Sequence, residues 1–220
     1  VSKFSFGVIG TAFLDFCGNN MSSLVIGKSY STIDLGYYNR GNMLPETIGL
    51  NVYNAINSAL LPTLASHQNN SDELKYMTRK IMSLSVYIIF PLMFGLIGIS
   101  DILIPVILTD RWISIIPLMN IFCLYYAINP IRAIGYNVFF AKGESRLCVL
   151  IEVLRFSLML LCLIVVVFLI KGSVYFLLLT NFIVSIIVVL VTQFLLQKFI
   201  GYTLQELVVD IFPPFIMSIM

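Results

Sequence analysis

Residues 156–170 carry no charged side chain, and residues 174–196 carry none either. An α-helix of about 20 apolar residues matches the thickness of a bilayer core. In hydrocarbon every backbone N–H and C=O must find its partner inside the segment, so such a run crosses as a helix. The whole chain has this character. It is 59% hydrophobic and 11% charged, with a mean hydropathy of +0.97. Soluble domains carry about 25% charged residues. The expected fold class is all-α, a polytopic transmembrane helix bundle. The net charge of +2 and the absence of a basic run exclude a nucleic-acid binder.

The stretch 35–68 is long enough to cross but is not uniformly apolar. Thr47, Asn51, Asn54 and Ser58 recur at helical spacing and share one face. An unsatisfied amide in hydrocarbon costs several kcal/mol, roughly, so this stripe should face other helices or a wet cavity. Thr11, Asp15, Asn19 and Ser22 form a second stripe in the first apolar run, and Tyr125, Asn129, Arg132 and Tyr136 a third.

Six complete spans are expected, at roughly 6–27, 43–65, 81–99, 113–140, 147–170 and 174–196, with a seventh starting near Leu207. Residues 28–42, 66–80 and 100–111 read as loops, with His67 solvated in the second. Trp112 suits an interfacial position. Pro45 and Glu46 suit a first helical turn, while Pro62 should kink the far end of that span. Pro130 should interrupt the backbone ladder beside Asn129 and Arg132. Beyond Phe156 the fifth span should face lipid. Val1 in place of an initiator Met, and Met220 within an apolar run, read as a piece of a longer protein.

The charges inside the spans are the candidate functional residues. Asp15 near mid-membrane costs about 2.5–3.5 kcal/mol to insert, so it should face the interior. It reads either as a structural hydrogen-bond partner or, with Asn19, as a proton or cation site. Arg132 reads either as a cavity cation or as an arginine snorkelling to the surface. Glu152 and Arg155 lie three residues apart and can neutralise each other. Cys17, Cys123, Cys148 and Cys162 lie apart and read as small apolar side chains. A single His leaves no His-based metal site, and neither a nucleotide loop nor a catalytic constellation is present.

With the N-terminus in the cytoplasm, Lys3, Lys75, Arg79, Lys80, Lys142, Arg146 and Lys198 fall inside. They outnumber Lys28, Arg40, Arg111 and Lys171 outside, as the positive-inside tendency favours. Polar stripes on spans one, two and four, beside mostly apolar spans three and five, suit a bundle with a central wet cavity. No filter loop or charged ring marks a channel. Prolines and buried charges suit a transporter, and a cationic Arg132 would select an anionic cargo.

Several of these segments form an ordered set. LGYYNRG from Leu35 leads into LPETIGLNVYNAINSALLPTLA from Leu44, preceded by SSLVIGK from Ser22. Phe90-Pro91-Leu92 with Gly95, then Arg111-Trp112, then Ala141-Lys142-Gly143 follow. Over residues 3–196 this resembles the bacterial polysaccharide-exporter and O-antigen flippase family, part of the superfamily that includes the MATE exporters. Many relatives carry an acid where this chain has Ser22 and Ser23.

The resemblance implies two six-helix bundles around a cavity, working by alternating access in the bacterial inner membrane. Residues 1–196 would be the second bundle, and 197–220 a loop and the start of a further helix. The cargo implied is a polyprenyl-diphosphate-linked oligosaccharide. Arg132 would contact diphosphate or acidic sugar, with Asn129, Tyr125 and Tyr136 beside it, and Asn51, Asn54 and Ser58 would meet sugar hydroxyls. Membrane lipids and polysaccharide polymerase machinery would be partners, and no cofactor is implied. A MATE-type cation-coupled exporter using Asp15, or a non-transporting scaffold, are the competing readings.

Overall fold

The computed structural model describes residues 2–66, 70–170 and 172–219, with side chains over 7–56, 70–168 and 172–218. Seven α-helices follow in order: α1 (Ser2–Ser29), α2 (Thr32–Ser66), α3 (Ser71–Leu108), α4 (Ile116–Ala141), α5 (Ser145–Ile164), α6 (Val174–Ile200) and α7 (Leu204–Ile219). A 3-10 turn (Asp110–Ile115) precedes α4, and a π segment (Val165–Ile170) extends α5. The side chains of Ser58, Pro62, His67 and Lys171 lie outside the described residues.

Three expected loops are largely helical where they are described, and for the first two the reason is capping. Residues 28–42 read as a loop because they are polar, yet α2 starts at Thr32. Ser31 Oγ accepts from Asp34 N at 3.0 Å, while Asp34 Oδ2 accepts from Ser31 N at 3.2 Å and Ser31 Oγ at 2.7 Å. This reciprocal box satisfies the first orphan N–H groups and starts the helix early. Asn70 does the same for α3, its Oδ1 accepting from Asp72 N and Glu73 N at 3.2 and 3.4 Å. The polar tract before span three is therefore the first turns of a helix. At its other end α3 runs through Pro105 to Leu108 and stops at Thr109, which takes a positive φ of 75°. Pro130 lies within α4, which continues unbroken on both sides of it.

Among the described residues four segments are long and apolar enough to cross a membrane: Ser71–Leu108, Asp110–Ala141, Ser145–Phe168 and Val174–Ile200. These match four of the six expected spans. α1 and α2 have the length but are diluted by their polar faces. Within α5, Met159 and Leu163 are buried against the bundle while Leu161 and Ile164 are exposed, so only one side of its apolar half is turned outward.

α4 is the central helix, packed against α2, α3 and α6, while α1 lies along α5 and α7 along α3. Val86, Ile89, Met93, Met119 and Cys123 form a core between α3 and α4. Ile134, Val138, Cys148, Val188 and Leu196 form a second among α4, α5 and α6. Ile26, Phe122, Met159 and Leu177 close a third around the end of α1. Small residues allow close approach where no hydrophobic force drives helices together. Gly49 is one: a Cβ there would stand 2.8 Å from Tyr126 Cδ1. Phe13, Phe16, Ile102, Val106, Phe168 and Phe194 are exposed, the outward apolar surface a lipid-embedded bundle requires. All four cysteines are free, with Cys123 and Cys148 buried.

The connections sort to two ends. Tyr30 Oη, after α1, donates to the Gly172 carbonyl before α6 at 2.7 Å. Tyr175 Oη donates to the Ser114 carbonyl in the 3-10 turn at 3.0 Å. Lys142 Nζ, after α4, donates to Ser71 Oγ at the start of α3 at 3.3 Å. Successive helices among the described residues thus alternate in direction, with Lys28 and Arg111 near one end and Lys75 and Lys142 near the other.

Candidate functional site

Four charged side chains from three helices meet inside the bundle. Arg132 on α4 donates through Nη1 to Glu152 Oε2 at 3.1 Å and through Nη2 to Asp15 Oδ1 at 3.4 Å. Arg155 on α5 donates through Nη2 to the same Asp15 oxygen at 3.0 Å, and through Nε to Glu152 Oε1. Two carboxylates balance two guanidinium groups. Burial without balance would be costly, because an uncompensated charge in the interior loses its hydration and gains nothing.

The neighbours complete the set. Tyr136 Oη donates to Glu152 Oε2 at 2.9 Å, and the Arg132 guanidinium lies 5.2 Å from the Tyr136 ring centroid. Asn129 Oδ1 accepts from Arg132 Nη2 at 3.1 Å, and Asn19 Nδ2 donates to Asp15 Oδ2 at 3.2 Å. Glycine at 18 lets α1 approach, since a Cβ there would stand 2.7 Å from Arg155 Nη2.

Both arginines line a cavity of about 270 Å³. From α1 it receives Asn19, Asn20, Ser22 and Ser23; from α2, Tyr38, Asn39, Asn42 and Glu46. α4 adds Tyr125 and Tyr126, whose rings meet edge-on at 5.3 Å, and α6 adds Asn181 and Ser185. Asn181 Nδ2 donates to Ser22 Oγ at 2.9 Å, tying α6 to α1 across the cavity wall. Amides, hydroxyls and phenols can hydrogen-bond a polyhydroxylated ligand, and the guanidinium pair can bind an oxyanion.

Of the residues expected to form the site, Arg132, Asn129, Tyr136, Asp15 and Asn19 converge on the charged cluster, and Tyr125 lines the cavity. The Arg132 charge is not free, however: it faces two carboxylates rather than an empty cationic pocket. Asn51 and Asn54 are exposed on α2 and do not line this cavity, which reaches α2 as far as Leu50, and Ser58 falls outside the described side chains. Thr47 Oγ1 donates to its own helix, to the Met43 carbonyl at 2.7 Å. The cavity face of α2 comes one to four turns earlier, at Tyr38, Asn42 and Glu46. A column of every fourth residue rotates by about 40° per step at 3.6 residues per turn. By Asn54 it has turned off the cavity. The spacing of Tyr38, Asn42 and Glu46 was a readable signal, obscured by taking 28–42 for a loop.

A second charged cluster holds α7. Arg79 on α3 pairs with Asp210 through Nε at 2.9 Å and Nη2 at 2.8 Å, and with Glu206 at 3.2 Å. Lys75 reaches Glu206 at 2.8 Å. The Lys75 ammonium and the Thr203 N–H hold the Glu206 carboxyl down at about 2.

The profile of the polysaccharide biosynthesis protein family matches residues 1–117, more than half of the chain. The chain belongs to that family. It is 21% identical over 146 residues to the teichuronic acid biosynthesis protein TuaB of Bacillus subtilis (strain 168), covering 66% of this chain and 30% of that protein. Against the lipopolysaccharide biosynthesis protein WzxC of Escherichia coli (strain K12) it is 23% identical, covering 60% and 26%. Against the succinoglycan biosynthesis transport protein ExoT of Rhizobium meliloti (strain 1021) it is 22% identical, covering 56% and 25%. The chain thus spans less than a third of the length of these curated relatives. No solved structure matches it. The family is one of polysaccharide exporters and flippases for surface polysaccharide biosynthesis, not of enzymes, and the chain is a multi-pass membrane protein of it.

Proposed function

We propose that this chain forms one wall of a transport cavity in a flippase of the bacterial inner membrane. The whole protein moves a polyprenyl-diphosphate-linked oligosaccharide outward by alternating access, supplying O-antigen, capsule or exopolysaccharide assembly. Residues 1–196 act as the second of two bundles, with the N-terminal end of α1 in the cytoplasm. The observation that carries this reading is the Arg132–Arg155 pair lining a polar cavity inside an otherwise apolar bundle. A guanidinium pair offers a diphosphate the fork geometry it binds best, and the amide- and tyrosine-rich wall suits the sugar that follows.

Arg132, steadied by Asn129 and Tyr136, contacts the phosphate, and Tyr125 lies along the path of the glycan. Asn51, Asn54 and Ser58, on the far half of α2, meet sugar hydroxyls from the side where a first bundle would stand. Asp15 with Asn19 is the group through which an ion gradient would act. The cation-coupled small-molecule exporter is the weaker reading, because the two guanidinium groups that line the cavity would repel a cationic cargo. Polysaccharide polymerase machinery is the expected protein partner.

The test uses the full-length gene carrying Arg132→Ala. Surface polysaccharide should fall by an order of magnitude or more while lipid-linked oligosaccharide accumulates on the cytoplasmic leaflet, as expected when a charge-assisted contact worth about 1.5–3 kcal/mol is lost. Normal export at normal expression would sink the assignment.

A further inference from the structure

The two acids of the charged cluster are not equivalent. The Glu152 side chain is 1% exposed and is pinned by Arg132, Arg155 and Tyr136. The Asp15 side chain is 39% exposed. Its Oδ1 sits between Arg132 Nη2 and Arg155 Nη2, at 3.4 and 3.0 Å, and among the described residues its Oδ2 meets only Asn19 of its own helix, at 3.2 Å. Glu152 balances one of the two guanidinium charges. The other is balanced by Asp15, a partly solvated carboxylate that does not itself line the cavity but is bonded to Asn19, Arg132 and Arg155, which do.

One carboxylate oxygen held by N–H groups of two arginines from two helices has the form of a bound oxyanion. We propose that Arg132 and Arg155 together make a single oxyanion site, and that Asp15 is its resident occupant, displaced when a phosphate-bearing ligand enters. The exchange keeps the charge of the site compensated at every stage, which an empty arginine pair would not. It also links occupancy to the backbone. Asp15 is the ionic tie between α1 and both α4 and α5, so a ligand that takes its place releases α1 from α5 along the line where Gly10 faces Val149 and Gly18 faces Arg155. Displacement has a cost, so the ligand must bring more than one unit of negative charge to the two guanidinium groups, as a phosphate monoester or diphosphate does and a carboxylate does not. This inference rests on the cavity being the cargo site.

The experiment uses the purified full-length protein in neutral detergent, titrated with geranyl diphosphate by calorimetry. Asp15→Asn, which removes the competitor, should tighten binding by about tenfold, Asp15→Glu should stay near wild type, and Arg155→Gln should abolish binding. In the wild-type background a Gly10→Cys, Val149→Cys pair should cross-link readily, and geranyl diphosphate should slow that reaction; this arm does not depend on any Asp15 variant folding. Binding that is lost in Arg155→Gln but unchanged in Asp15→Asn, with cross-linking indifferent to ligand, overturns the exchange and leaves the cargo site standing. No binding to wild type or to Asp15→Asn overturns both. Slowed cross-linking with phosphatidylglycerol vesicles but not with geranyl diphosphate would make the bilayer headgroup the source of the anion and overturn the cargo as its source.

Discussion

Glu152→Gln would leave the Arg132 and Arg155 guanidinium groups sharing only Asp15. Removing one partner of a buried ion pair costs about 3–5 kcal/mol, because the remaining charge stays desolvated. The variant should melt markedly earlier than wild type when the full-length protein is followed by thermal unfolding in detergent. Tyr136→Phe removes only the hydroxyl that donates to Glu152, and should cost about 1 kcal/mol in the same assay. At this scale the sequence showed that Asp15 and Arg132 were unusual, since charge inside an apolar run is expensive wherever it points. It could not show that they are partners. Asp15 is separated from Arg132 by 117 residues and from Arg155 by 140, and nothing in the local spacing of either encodes the other. Glu152 and Arg155 were legible as a pair for the opposite reason, being one helical turn apart.

Among the elements, α7 has the most conditional attachment. Its charged end is fastened to α3 by Arg79 and Lys75 against Glu206 and Asp210. Arg79→Ala should increase amide hydrogen exchange across α7 while leaving α4 protected, a difference readable by mass spectrometry. The attachment should also weaken in acid. The carboxyl of Glu206 is held below its ordinary value of 4.5, so its contribution is full above that pH and is lost as pH falls through about 2. Protection of α7 amides, taken relative to their intrinsic exchange rate at each pH, should fall over that window before the rest of the bundle responds. The apolar helices α4 to α6 were legible to within a few residues, because composition alone sets their length. The starts of α2 and α3 were not, because a polar helical turn and a polar loop share a composition. Only the caps at Ser31–Asp34 and Asn70 distinguish them, and these are short-range signals that a hydropathy reading passes over.

At the scale of the whole molecule, the alternation of helices places Ser29, the last residue of α1, and Ser71, the first of α3, at opposite ends. With the proposed orientation, a cysteine at Ser71 in the full-length protein should react with an impermeant maleimide only from the cytoplasmic side, and a cysteine at Ser29 only from outside. Labelling of Ser71→Cys in intact cells would invert the assignment. The two-ended layout was accessible from the distribution of Lys and Arg, which is a property of the chain as a whole and survives errors of several residues at any helix end.

The balance of charge in the cluster of Asp15, Arg132, Glu152 and Arg155 also has an electrical meaning. A membrane potential acts on net charge, at about 2.3 kcal/mol per elementary charge per 100 mV. Two positive and two negative groups moving together do no net work in that field. On the proposed cycle, the balanced cluster can therefore move in the field without sensing voltage, and the charge of a bound passenger or coupling ion would give the field its handle.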